Sequence, residues 1–395
     1  MRTSDLIAEL ERIASAAKMA VQGLNFSRAA WSYIPPHLTE RFGAALLGHP
    51  VISQIEGKVY TLPNTGGVVS LRRDAVYLIQ RVIEGIPAKT VVDSLVNISH
   101  DRAVSTSTIA AIEGVSLTSP VVISEHLSVE PADGLPPYHR EIFTRANSPA
   151  HGFGSHPQSA VVYHEVHDRQ FLTSELTDDI ANFAVPPFEE ALLTLLLISD
   201  GAPQYRQQYV VVNDAGWPGM SSPGFGEAQP FPQPVKPIRE ADWDQSSAIY
   251  NQLSTLNVQT KRSLMQAVRK LETSRRRSTL TERAVELGVC AEMLLMHGGN
   301  DKGEITNKVA TRAAWMLGSD STTRLSTFKL ARDLYNDRSK VAHGGEIIPG
   351  PIANDFDAAE AKFGAYDRLC RELIKEIAKR GGWPDWTELV LNVER

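Results

Sequence analysis

Six prolines crowd the stretch from Gly216 to Asp244, at positions 218, 223, 230, 232, 234 and 237. Proline fixes φ and removes a backbone donor, so neither a long helix nor a central strand is expected there. The chain must therefore fold in two blocks, and its 395 residues leave room for both, since single cores rarely grow past about 250–300 residues. The expected organisation is an α+β domain over residues 1–215, a Pro/Gly-rich linker over 216–245 and an all-α bundle over 246–395.

Charge divides in the same place. Residues 1–245 carry 17 Lys and Arg against 27 Asp and Glu, a net −10, whereas residues 246–395 carry 23 against 19, a net +4. The second block is the one suited to an anionic partner. No apolar run reaches the roughly 18 residues that cross a bilayer. The longest, near Ala191–Ile198, is interrupted by Thr194 and reads as a buried helix. Met1-Arg2-Thr3-Ser4-Asp5 leads into an acidic amphipathic stretch, unlike a signal-peptide core. Cys290 and Cys370 lie in helical apolar patterns. They are expected to be reduced core residues of a cytoplasmic protein with no membrane partner.

In the first block the periodicity predicts helices over 4–24, 72–84 and 187–199, and strands over 57–62, 120–129, 160–166 and 209–212. The second block is helical almost throughout. One helix is expected from Ser246 to about Leu271. A second follows Thr279-Leu280-Thr281-Glu282, which has capping-box spacing. Further helices are expected over 305–317, 323–343 and from Asn354 to about Ile377, the last two stopped by Gly344-Gly345 and Gly381-Gly382. Five helices with short loops make a bundle.

The chemistry concentrates in Leu334-Tyr335-Asn336-Asp337-Arg338-Ser339-Lys340-Val341-Ala342-His343-Gly344-Gly345. Arg338 and His343 stand about 140° apart around a helix. They therefore do not share a stripe, yet both can border a face that meets a symmetry-related helix. His343 falls in the last turn, where the helix dipole favours an imidazolium. A histidine can act as acid or base near neutrality. RNA supplies its own nucleophile, the 2′-OH, and arginine is suited to the charge that builds on the phosphorus oxygens. Asn336, Asp337, Lys340 and Glu292 are candidate auxiliaries, and Arg275-Arg276-Arg277 is a basic run that could track a phosphate backbone.

This segment resembles the R-x4-6-H signature of the HEPN superfamily, and the stretch from about 280 to 380 is similar to the Apea-like HEPN family. The helix with Glu286 and Glu292, the segment Glu304–Trp315 and the run Leu334–Gly344 are similar to three successive helices of that family. Ile123–Leu127 through Gly134-Leu135-Pro136 is similar to a strand-and-turn element of its N-terminal part. The resemblance implies a HEPN bundle and a metal-independent endoribonuclease without cofactor. It also implies activity as a homodimer with a composite site, or as a higher oligomer, with products ending in 2′,3′-cyclic phosphate. Such proteins serve as antiphage or toxin effectors, so an activating ligand or phage component is a further expected partner. The tyrosine that some HEPN proteins carry two residues after the histidine is Gly345 here, so control by AMPylation of that residue is not implied.

Two other classes compete from the residues alone. One is a catalytically silent adaptor that dimerises or holds RNA. The other is an enzyme whose chemistry lies in the first block. His164 and His167 there invite a metal, but an offset of three places them on opposite faces of a strand, so no metal site is expected. His151 and His156 fall in a Gly/Pro/Ser loop and are expected to be solvated.

Overall fold

The structure, a computed structural model, describes residues 1–21, 34–62, 65–100, 104–136, 139–140, 143, 158–167, 172–174, 187–217, 222–223, 235–298, 303–348 and 353–391. An N-terminal α+β region precedes a helical C-terminal region. The chain forms two compact units. One comprises 1–188 with 204–232; the other comprises 189–203 with 233–395.

The first unit opens with α1 (Thr3–Val21), α2 (Pro36–Leu47), β1 (Val59–Leu62), β2 (Thr65–Val68), α3 (Leu71–Ile83) and α4 (Ala88–Ser99). Proline marks the starts of α2 and α4, Pro36 as its first residue and Pro87 as the cap. The fixed φ of proline suits a helix start, where the missing N–H costs nothing. One face of α1, through Leu6, Leu10, Ile13 and Ala17, packs into a core with Phe42, Leu46, Leu78, Val91 and Leu95. Trp217, the second residue of the proline-rich stretch, is buried in the same core and meets Tyr60 edge-on at 5.1 Å.

The remaining strands are β3 (Val104–Glu113), β4 (Val115–Ser116), β5 (Val121–Ser124), β6 (Leu127–Pro131), β7 (Ser159–His167), β8 (Leu172–Thr173), β9 (Gln204–Val212) and β10 (Ser222–Pro223). An antiparallel sheet runs β10-β9-β3-β7-β6-β5, and β2-β1-β8 form a smaller one. The strand expected over 120–129 is a hairpin, with Ser124 opposite Leu127 across the turn.

The second unit contains α5 (Phe188–Ile198) after its first residue, α6 (Glu240–Trp243), α7 (Ser246–Thr255), α8 (Val258–Arg276), α9 (Leu280–Leu295), α10 (Ile305–Leu317), α11 (Ser321–Ala342), α12 (Ala353–Lys379) and α13 (Trp386–Leu391). The helix expected from Ser246 to Leu271 is two. Leu256 is extended, and the Asn257 side chain accepts the Thr260 N–H at 2.9 Å to start α8 afresh. Leu287, Cys290 and Leu294 of α9, Val309 and Ala313 of α10, Leu334 of α11 and Phe363, Tyr366, Cys370 and Leu373 of α12 are buried. α9 packs against α8, α11 and α12, which brings Arg338 and Glu292 together.

Candidate active site

The end of α11 is fixed by its own backbone. His343 is the C-cap, and Gly344 follows at φ +85°, a left-handed conformation that glycine adopts without strain. The Gly345 N–H donates to the Lys340 carbonyl and the Gly344 N–H to that of Val341, each at 3.0 Å. This 6→1 and 5→2 pair is a Schellman ending. A side chain at 345 would run into Lys340. The chain after the cap is tied back to α9, because the Ile347 N–H donates to Thr281 Oγ1 at 3.0 Å. His343 is thus placed by geometry while its side chain is exposed.

Arg338, five residues earlier, lies against α9. Gly288 faces it: a Cβ there would fall on Arg338 Cβ and Cγ, so the slot exists only because residue 288 has no side chain. Beyond the slot, Arg338 Nη2 pairs with Glu292 Oε2 at 3.3 Å. The two side chains are 29% and 33% exposed, and a pair so open to solvent contributes no more than about 1 kcal/mol. The Tyr335 hydroxyl points at the same carboxylate oxygen at 3.5 Å, and the guanidinium stands 5.4 Å from the Tyr335 ring centre. Burial, and then the Glu292 charge, raise the Tyr335 phenol above its ordinary pKa, which keeps it a donor.

The other candidates are placed as follows. Asp337 is turned away from Arg338. Its Oδ2 accepts from the Tyr366 hydroxyl at 2.9 Å and pairs with Lys362 at 2.7 Å, both on α12. Asn336 and Lys340 are exposed on α11. Glu292 is brought to Arg338; Glu286, further up α9, is buried and paired with Lys270 and Arg277. Tyr335 and Gly288 were absent from the expected set. The signal for Gly288 was legible, since a glycine inside an apolar helix usually marks a close approach.

The basic run is paired with acidic groups within the unit. The Arg275 side chain is 7% exposed. It grips Asp367 with Nε and Nη2, each at 2.8 Å, and donates to the carbonyls of Leu196 and Gly201. Arg276 pairs with Glu272, and Arg277 with Glu282 and Glu286. Arg371 completes the Asp367 network and donates to the Ser199 carbonyl at 3.0 Å. Two arginines therefore cap the end of α5, which accounts for its place among the C-terminal helices.

In the first unit, His164 Nδ1 lies 2.8 Å from Ser107 Oγ, which donates to Asn213 Oδ1 at 2.8 Å. Ser107 is fully buried, so this chain braces the sheet. His151 and His156 lie outside the described residues. Among the described residues no group of three or more His, Cys, Asp or Glu could hold a metal, and no helix is long and apolar enough to cross a membrane. Cys290 and Cys370 are buried free thiols. The hydrogen bond with Cys290 and complete burial push the Cys370 thiol well up. No protein-family model, curated protein or solved structure matches this chain.

Proposed function

We propose that the chain is a metal-independent endoribonuclease of the HEPN type, working as a homodimer, with Arg338 and His343 as its catalytic residues. The observation that carries the reading is the pairing of a fixed backbone with available side chains. Arg338 sits in a slot made by Gly288, and His343 is locked at a Schellman ending, yet both reach solvent. Rigid placement of exposed polar groups is what catalysis asks of a scaffold.

In the reaction, an imidazole of His343 takes the 2′-OH proton while the 2′-oxygen attacks phosphorus. The bond from phosphorus to the 5′-oxygen breaks, and the protonated imidazole of the partner subunit's His343 gives that oxygen its proton. The products are a 2′,3′-cyclic phosphate and a free 5′-OH. Arg338 stabilises the phosphorane oxygens, a task for a planar cation that can bind two of them at once.

A second copy is the partner that α11 suits. Only Ala331, Leu334 and Tyr335 of its 22 residues are buried, which leaves a long face for a two-fold mate. Leu325 on α11 is 55% exposed, and Ile348 just past it 74%. The first unit serves to sense or restrain, and the role is that of an antiphage or toxin effector in the cytoplasm. The test is RNA cleavage in EDTA by the full chain, with Arg338→Ala and His343→Ala each abolishing it while light scattering still reports a dimer. If both variants cut like the parent, the assignment is wrong. RNA binding without cleavage by the parent would favour the silent adaptor.

A further inference from the structure

We propose that Glu292 is a positioning residue that stands in for the scissile phosphate, occupying Arg338 until RNA displaces it. This rests on the nuclease reading above and adds the control of its arginine. A carboxylate and a phosphate offer a guanidinium the same kind of acceptor oxygens. In the free protein the carboxylate is already there, at 3.3 Å from Nη2. The contact is single and long, where charge-assisted pairs settle at about 2.7–2.9 Å. Among the described residues Glu292 is the one acidic partner of Arg338, whose side chain is 29% exposed, so an incoming anion has a route to the guanidinium.

The neighbouring acids cannot take this part. Asp337 is bound to Tyr366 and Lys362, and Glu286 to Lys270 and Arg277. Tyr335 steadies Glu292 only weakly, since a hydroxyl at 3.5 Å is at the limit of a hydrogen bond. The arrangement has two effects. It keeps the guanidinium aimed while the site is empty, so little order has to be created when RNA arrives. It also places a negative charge where a phosphate must come, and like charges that close repel. Glu292 thus weakens RNA binding while holding Arg338 in its working orientation.

Two substitutions separate these effects. Glu292→Gln removes the charge and keeps an oxygen that can accept from Nη2. Glu292→Ala removes both. In the full-length chain, with a fluorescein-labelled 20-nucleotide single-stranded RNA in EDTA, Gln should lower KM by roughly 3–10-fold, as expected for removing one like charge from beside a bound phosphate, with kcat within about twofold. Ala should lower KM similarly but cut kcat by roughly tenfold, as expected for a lost positioning contact. In the His343→Ala background, where RNA stays intact, fluorescence anisotropy should show the same tightening. A purely structural glutamate would change thermal stability and leave the KM-against-kcat split unmoved. If neither variant binds RNA more tightly than its parent, Glu292 is not a phosphate stand-in. Should the Ala variant fail to fold, the Gln result decides alone. The underlying reading fails separately, by absence of metal-independent cleavage in the parent or by an Arg338→Ala variant that cuts normally.

Discussion

Gly288 on α9 leaves empty the space that the stem of Arg338 on α11 fills: a methyl group at 288 would overlap Arg338 Cβ and Cγ. Gly288→Ala must therefore push α11 outward or drive Arg338 off its rotamer. Overpacking of this kind costs about 1–3 kcal/mol. The larger effect is expected on RNA cleavage, because a displacement of about an ångström at a reacting group can cost on the order of a hundredfold. Urea unfolding and single-turnover cleavage on the same preparation check this. A variant that loses stability but cuts at the parent rate would show that Arg338 does not need its slot.

Asp337 follows Tyr335 and precedes Arg338, yet it serves α12. Tyr366 is fully buried and hydrogen-bonds to Asp337, and burial together with that bond raises its phenol far above the ordinary range. Asp337→Ala strands this hydroxyl, which costs about 1–3 kcal/mol. Cleavage per folded molecule should stay within about twofold. The opposite pattern, unchanged stability with a large loss of rate, would move Asp337 into the active site.

The first unit carries its own acid sensitivity. His139 is buried, and that burial pulls its imidazole down to about 4, with the charges of His164 and Arg81 adding to the shift. An unfolded histidine titrates near 6.5. Between these values the unfolded chain binds a proton that the folded one refuses, so stability falls as pH falls through this window. At pH 5 the loss relative to pH 7 is roughly 2 kcal/mol. His139→Leu should remove that increment, so the parent and variant should differ in how much they lose between pH 7 and pH 5 in urea titrations. Equal losses would exclude His139 as the source.

Much of this was legible in the residues. The helix 72–84 appears as Leu71–Ile83 and the strand 160–166 as Ser159–His167, because clear periodicity and clean ends agree there. Thr279 caps α9 as its spacing predicts, accepting the Glu282 N–H at 3.2 Å. The central strand β3 escaped. It reads Val-Ser-Thr-Ser-Thr-Ile-Ala-Ala-Ile-Glu, and a strand covered on both faces loses the alternation that marks a half-buried one. The start of α11 was missed by two residues, since Asp320 and Thr323 form the capping box and Thr323 lies inside it. At the candidate site, residue types and spacing pointed to Arg338 and His343, whereas the roles of Glu292, Tyr335 and Asp337 depend on which helices pack together. No local pattern carries that information.

Arg275 gives the sharpest separation between charge and geometry. Its fork holds Asp367 and two carbonyls at the end of α5 while the side chain is 7% exposed. Breaking a buried pair by removing one partner costs about 3–5 kcal/mol, so Arg275→Ala should melt well below the parent. Arg275→Lys is the more telling variant. It keeps the positive charge but loses the planar fork that reaches several acceptors together, so it too should be destabilised. A phosphate-tracking arginine behaves the other way. Lysine would replace it without loss of stability, and alanine would lower the slope of log affinity against log salt by about one. Thermal melts of both variants, with RNA affinity at several salt concentrations, decide between a brace inside the helical unit and a contact to nucleic acid.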